Sequence, residues 1–174
     1  MNNKDTISSE PYDVIVIGAG PSGNAAAIKL SSGGMKTLVI DQRHIIGDKL
    51  CTGIIGVECA SLVPPRAELI YGEASEVKVH SPDGSSYMLG DDTCHALIID
   101  RVSYVQDMAK DAMRLGTDYF LGSRVDLINI DDSKAQVSGG SGERRFTFTA
   151  RVVILTGGFR TSLLNQVGLE KNKQ

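Results

Sequence analysis

Three short runs along the chain are apolar at nearly every position: Tyr12–Ile17 (YDVIVI), Lys36–Ile40 (KTLVI) and Arg151–Leu155 (RVVIL). β-Branched runs without polar alternation suit strands buried on both faces, as inside a parallel sheet. Between the first two, residues 22–32 carry the small residues of NAAAIKLSS, which predict a helix packed close to the preceding strand and stopped by Gly33-Gly34. Strand, helix and strand across residues 12–40 therefore predict a βαβ unit, whose crossover should be right-handed.

Beyond Asp41 the pattern loses its period. Glycines at 47, 53 and 56, then Pro64-Pro65, describe a long loop with one short helix near Val57–Leu62. Long structured loops usually serve a ligand. Glu76–His80 and Ser85–Leu89, parted by Pro82-Asp83-Gly84, predict a β-hairpin, and His95–Ile99 a further strand of the same small antiparallel layer. Val102–Leu115 places Val105, Met108, Ala109, Ala112 and Leu115 near helical spacing, with Gly116 as the stop. Ser123–Ile130 and Ala135–Ser138 read as strands, Gly139–Gly142 as a flexible turn, and Arg145–Thr149 as the returning strand. The expected fold is α/β: a Rossmann-type domain with a parallel sheet plus a small antiparallel β layer. Residues 1–11 are expected as a flexible leader, 12–168 as the domain and 169–174 as a polar tail.

Composition narrows the function classes. With 174 residues, 41% of them hydrophobic and 22% charged, the chain can bury a core. A net charge of -3 gives no electrostatic reason to expect nucleic acid or an anionic membrane as the main partner. No stretch approaches the roughly 20 apolar residues of a membrane span, and MNNKDTISSEP lacks the features of a signal peptide, so a cytoplasmic protein is expected. Cys51, Cys59 and Cys94 match no zinc spacing and are odd in number, which predicts reduced thiols and no metal, with Cys59 and Cys94 buried. His44, His80 and His95 are scattered and read as surface or packing residues, with no serine–histidine–acid set in view.

Chemistry enters at Gly18-Ala19-Gly20-Pro21-Ser22-Gly23, a G-x-G-x-x-G pattern between a buried strand and a helix. Gly18 would permit the tight turn, Gly20 the approach of a pyrophosphate, and Gly23 close strand–helix packing, while the helix N-terminus offers N–H groups and positive dipole. Glycine turns also occur simply to make tight bends; the flanking elements favour dinucleotide binding. Asp41, 18 residues after Gly23 and at the end of the second strand, suits a ribose 2′-OH and disfavours a 2′-phosphate. Arg43 could pair with ribose or phosphate oxygens, or simply be exposed.

YDVIVIGAGPSGNAAAIKL, Asp41-Gln42-Arg43 and the block Gly47-Asp48-Lys49-Leu50-Cys51-Thr52-Gly53 resemble the geranylgeranyl reductase family of FAD-dependent oxidoreductases, relatives of the p-hydroxybenzoate hydroxylase-type monooxygenases. The resemblance continues through Asp100–Ala109 and Arg151–Gly168. It implies FAD held by Gly18, Gly20, Pro21, Ser22, Gly23, Asp41, Gln42 and Arg43. It further implies Cys51 and Gly53 near the isoalloxazine ring, Arg101 on the diphosphate, backbone at Val125 against the adenine, and Gly157 close to the cofactor. Packing beside the ligand is favoured for Cys51 over a redox or proton-transfer role.

The implied activity is reduction of an isoprenoid or similar apolar, lipid-like substrate by reduced flavin, with NAD(P)H as electron donor. No catalytic residue is assigned. Where the family carries alanine-aspartate-glycine after the last strand, this chain has Thr156-Gly157-Gly158-Phe159. The family also continues beyond the matching region, so a fragment is expected, with a missing C-terminal half or self-association covering apolar surface. Alternatives are a flavin monooxygenase-like enzyme, an NAD-dependent dehydrogenase, or a non-catalytic dinucleotide-binding module.

Overall fold

A computed structural model describes residues 6–7, 10–158 and 162–169. The elements run β1 (Thr6–Ile7), β2 (Tyr12–Ile17), α1 (Pro21–Ser32), β3 (Thr37–Ile40), β4 (Ile54–Gly56), α2 (Val57–Leu62), β5 (Ile70–Ala74), β6 (Glu76–His80), β7 (Ser86–Gly90) and β8 (Ala96–Ile99). They continue with α3 (Arg101–Arg114), β9 (Asp118–Phe120), β10 (Arg124–Ile130), β11 (Ala135–Ser141), β12 (Arg144–Leu155) and α4 (Ser162–Gln166). Two compact units result, Met1–Asp48 with Val105–Gln174, and Lys49–Tyr104, the boundary falling inside α3.

In the first unit a seven-stranded sheet runs β10-β11-β12-β2-β3-β9, with β1 also paired to β12. The segment β12-β2-β3-β9 is parallel, and β10-β11-β12 is antiparallel. The apolar runs end up where an unbroken pattern belongs: Ile15, Val16 and Val39 are completely buried. On one face Val14, Val16 and Val39 meet Ala27 of α1 and Ala112 of α3. On the other, Ile15, Ile17, Leu38 and Ile40 join Val137, Phe146 and Phe148. Phe120 packs edge-on to both Phe146 and Phe148 at 5.2 Å, a favourable aromatic geometry.

Several expectations are corrected here. Arg145–Thr149 and Arg151–Leu155 form one strand of 12 residues, not two. Ala150 joins them, because its small buried side chain lets it pair with Ala135 on β11 and Tyr12 on β2 at once. Nor is Gly139–Gly142 a flexible turn as a whole, since Gly139 and Gly140 lie in the ladder between β10 and β12. A Cβ at Gly139 would stand 1.9 Å from the Arg124 carbonyl oxygen and 2.6 Å from the Phe146 ring, so glycine there serves close packing. The turn itself falls at Gly142, whose φ is +61°. Leu115 is 44% exposed rather than part of the helix's buried face, since α3 ends before it. Within the stretch expected as a leader, Thr6–Ile7 pairs in parallel with Arg145–Phe146. Residues 1–5 and 8–9, and the expected tail beyond Leu169, lie outside the described residues.

The second unit holds an antiparallel sheet β4-β8-β5 and the separate hairpin β6-β7. Its buried hydrophobic residues are Leu69, Ile99 and Tyr104. The hairpin is exposed along both strands, with Val77 opposite Leu89 and Val79 opposite Tyr87 on one face. α2 buries none of its residues, so Cys59 is exposed, and Cys94 is only partly covered; neither is the buried thiol expected. Among the described residues no helix is long and apolar enough to cross a membrane, and no group of side chains could hold a metal ion.

Candidate functional site

β12, β2 and β3 end level, because Leu155 pairs with Ile17 and Ile17 with Ile40. Their carboxyl ends deliver Thr156-Gly157, the Gly18–Gly23 turn and Asp41-Gln42-Arg43 to one edge, where open α/β sheets bind ligands. Three glycines of the turn have three different environments. Gly18 has φ +115°, and a Cβ there would lie 2.7 Å from the Thr156 carbonyl oxygen. At Gly23 a Cβ would lie 1.9 Å from the Gly18 carbonyl oxygen, so the helix approaches the strand more closely than any other residue allows. A Cβ at Gly20 would meet nothing within 4 Å, so the protein itself does not require glycine there. Gly20 is the N-cap of α1, with extended backbone and no side-chain cap, and Pro21 opens the helix. Its first-turn N–H groups are thus uncapped by side chains, and no acid stands in that turn to oppose an anion.

The Asp41 carboxylate turns back on this loop. One oxygen accepts the Ala19 N–H at 2.7 Å and the other the Arg43 N–H at 2.8 Å. Asp41 is therefore structural as well as a ribose candidate; each oxygen retains a lone pair for a further donor. Its peptide is clasped as well: the Ser123 N–H donates to the Asp41 carbonyl at 2.9 Å, and the Gly122 N–H to the Arg43 carbonyl at 2.9 Å. Gln42 and Arg43 are half-buried beside it.

Asn24 was not singled out by the sequence, and Thr156 only as part of Thr156-Gly157-Gly158-Phe159, without a role of its own. The Thr156 hydroxyl lies 2.9 Å from the carbonyls of both Ile17 and Gly18, bracing the turn from β12. Asn24 is fully buried on α1 and bonds to the Ala19 carbonyl. A polar residue amid the small apolar ones of GNAAA was the available signal. Gly157 is exposed, with open space where a Cβ would go, which suits close approach of a ligand. Phe159, with Arg160 and Thr161, lies outside the described residues. Val125 is buried in β10 beside a bulge between Val125 and Leu127. There Gln166 of α4 accepts from the Ile128 N–H at 3.1 Å and donates to the Asp126 carbonyl at 2.9 Å.

Cys51, Gly53 and Arg101 come together in the second unit. Gly53 has φ +77°, and a Cβ there would stand 2.7 Å from the Ile99 carbonyl oxygen, so it fits the left-handed turn against β8. Arg101 donates to the Lys49 carbonyl at 2.8 Å. Cys51 is exposed, and its thiol is held below its ordinary pKa, chiefly by the Gly53 N–H and further by the Arg101 guanidinium. Asp100 caps α3, accepting from the Ser103 N–H at 3.1 Å and the Ser103 hydroxyl at 2.7 Å.

A glycine turn between a buried parallel strand and a helix, with an acid at the end of the next strand, is the layout of a Rossmann-type FAD/NAD(P)-binding domain. The chain belongs to the pyridine nucleotide-disulphide oxidoreductase family, whose profile matches residues 12–174. It is 26% identical over 164 residues to digeranylgeranylglycerophospholipid reductase of Methanothrix thermoacetophila, covering 91% of this chain and 42% of that protein. The chain thus spans about two fifths of the length of the reductases it matches. It is also 26% identical to a protein of Methanosarcina barkeri named only as uncharacterized, in the nifH2 5′ region, with 94% of this chain and 91% of that one covered. Among solved structures, a geranylgeranyl bacteriochlorophyll reductase-like protein from Thermoplasma acidophilum superposes with a TM-score of 0.78 at 24% identity, over 92% of this chain and 43% of that one. The resemblance to geranylgeranyl reductases read from the sequence is borne out by these relatives, and so is the fold class.

Proposed function

We infer that this chain is the FAD-binding part of a geranylgeranyl reductase-type oxidoreductase. The observation that carries the reading is the glycine turn: Gly18 and Gly23 are required by the protein's own packing, whereas a Cβ at Gly20 would meet nothing within 4 Å, which leaves room for a pyrophosphate to approach the backbone. The residues proposed to hold the adenosine and diphosphate are Gly18, Gly20, Pro21, Ser22, Gly23, Asp41, Gln42 and Arg43, with Val125 and Gly157 nearby. Uncapped N–H groups at the start of α1 would neutralise phosphate charge, and Asp41 would accept from a ribose hydroxyl. Bound FAD would supply the hydride chemistry, and the protein's part is binding and orientation. By the resemblance, Cys51, Gly53 and Arg101 are proposed as further cofactor contacts.

The proposed substrate is an isoprenoid or similar apolar lipid, and the proposed electron donor is NAD(P)H. The second unit exposes Leu50, Leu62, Tyr71, Tyr87 and Leu89, and we propose that further polypeptide covers them. Three free cysteines fit a reducing, cytoplasmic setting. Titrating the protein with FAD and with NAD, each followed by calorimetry, tests the cofactor assignment. Tighter binding of FAD is expected, and a preference for NAD would replace the reading with that of a dehydrogenase.

A further inference from the structure

Asn24 is fully buried one turn into α1, where an amide is costly unless its hydrogen bonds are made. It makes three. Its Nδ2 donates to the Ala19 carbonyl at 3.1 Å and to the Val105 carbonyl at 3.3 Å, and its Oδ1 accepts from the Tyr119 hydroxyl at 2.7 Å. Burial raises the Tyr119 pKa, so that hydroxyl keeps its proton and remains a donor. The orientation of the amide follows, because its oxygen must face Tyr119 and its nitrogen the two carbonyls.

We propose that Asn24 is the positioning residue that aims the Gly20 N–H at the cofactor's diphosphate, an inference that rests on the FAD reading above. The Ala19 carbonyl and the Gly20 N–H belong to one planar trans peptide, so they point in opposite directions. Drawing that carbonyl to Asn24 turns the Gly20 N–H away from Asn24, and a Cβ at Gly20 would meet nothing within 4 Å, so that residue has open space for a ligand to approach. The peptide on the other side of Ala19 is fixed as well, by the 2.7 Å bond from its N–H to Asp41. Both peptide planes flanking Ala19 are thereby held by side chains. Pro21 has no N–H, which leaves Gly20, Ser22 and Gly23 as the donors at the start of α1. Misaiming Gly20 would remove one of them.

The test compares Asn24→Ala with Ser31→Ala. Ser31 is buried on the same helix and shares a 2.7 Å hydrogen bond with Thr117, away from the turn, so it reports lost stability alone. FAD and ADP are titrated against each protein, and melting is followed by circular dichroism. Asn24→Ala is expected to weaken both ligands about tenfold, whereas Ser31→Ala lowers the melting temperature and leaves both affinities within about twofold. The proposal is overturned if folded Asn24→Ala binds both ligands as the wild type does, or if Ser31→Ala weakens them equally. Should Asn24→Ala not fold, Asn24→Leu, which fills the site without a donor, is read the same way. On the wild type, the Gly20 amide proton resonance should move on adding ADP; an unmoved resonance overturns the proposal without any variant. A wild type that binds neither ligand sinks the FAD reading itself, while a wild type that binds and an Asn24 variant that matches it sink only the positioning role.

Discussion

The Asp41 carboxylate at the end of β3 accepts the backbone N–H of Ala19, in the middle of the glycine turn, at 2.7 Å. An acid expected to face a ribose is thus also a strut between two strand ends. Asp41→Ala leaves the buried Ala19 N–H without that acceptor, and should cost about 1–3 kcal/mol in a denaturant titration. FAD affinity should fall with it. Unchanged stability would mean that the strut is not maintained in solution.

Gly20 and Gly23 should separate binding from folding. Gly23→Ala drives a methyl to 1.9 Å from the Gly18 carbonyl oxygen, and the forced backbone shift should cost about 1–3 kcal/mol or more. Gly20→Val has open space where its Cβ would sit, so its circular dichroism should match the wild type while FAD binding is lost. Equal stability of Gly23→Ala and wild type would contradict the packing described for the turn.

Cys51 should show an acidic thiol. Its alkylation by iodoacetamide, read at the peptide level against pH, should inflect below the ordinary thiol value of about 8.5. The Gly53 N–H and then Arg101 favour the thiolate, so Arg101→Gln should move the inflection upward. An ordinary inflection that Arg101→Gln leaves in place would show that the loop does not hold this arrangement.

The parallel core was legible because Tyr12–Ile17 and Lys36–Ile40 are apolar without alternation and are joined by a helix of small residues. The hairpin could be read from Pro82-Asp83-Gly84. β9 was missed: Asp118–Phe120 is three residues long, too short to show a period, and it is set by pairing with Leu38–Ile40. The continuity of β12 was equally hidden, since it depends on Ala150 finding partners on both sides.

At the site, Gly18–Gly23 and Asp41 could be found by spacing, but their support could not. Asn24 and Thr156 act through side-chain hydrogen bonds to backbone carbonyls, which leave no sequence period. The same holds for Gln166, whose amide fills the β10 bulge from a helix 36 residues after Ile130. Cys59 and Cys94 were misplaced because their burial would need a larger core than the Leu69, Ile99 and Tyr104 that the second unit buries.

The most direct test of FAD binding is the visible absorbance of the purified chain after incubation with FAD and desalting, run beside Gly20→Val. A wild type that keeps the yellow flavin spectrum, and a folded Gly20→Val that loses it, are expected. A folded wild type that emerges colourless, or a Gly20→Val that retains as much flavin as the wild type, would contradict the assignment of the glycine turn as the phosphate-binding site.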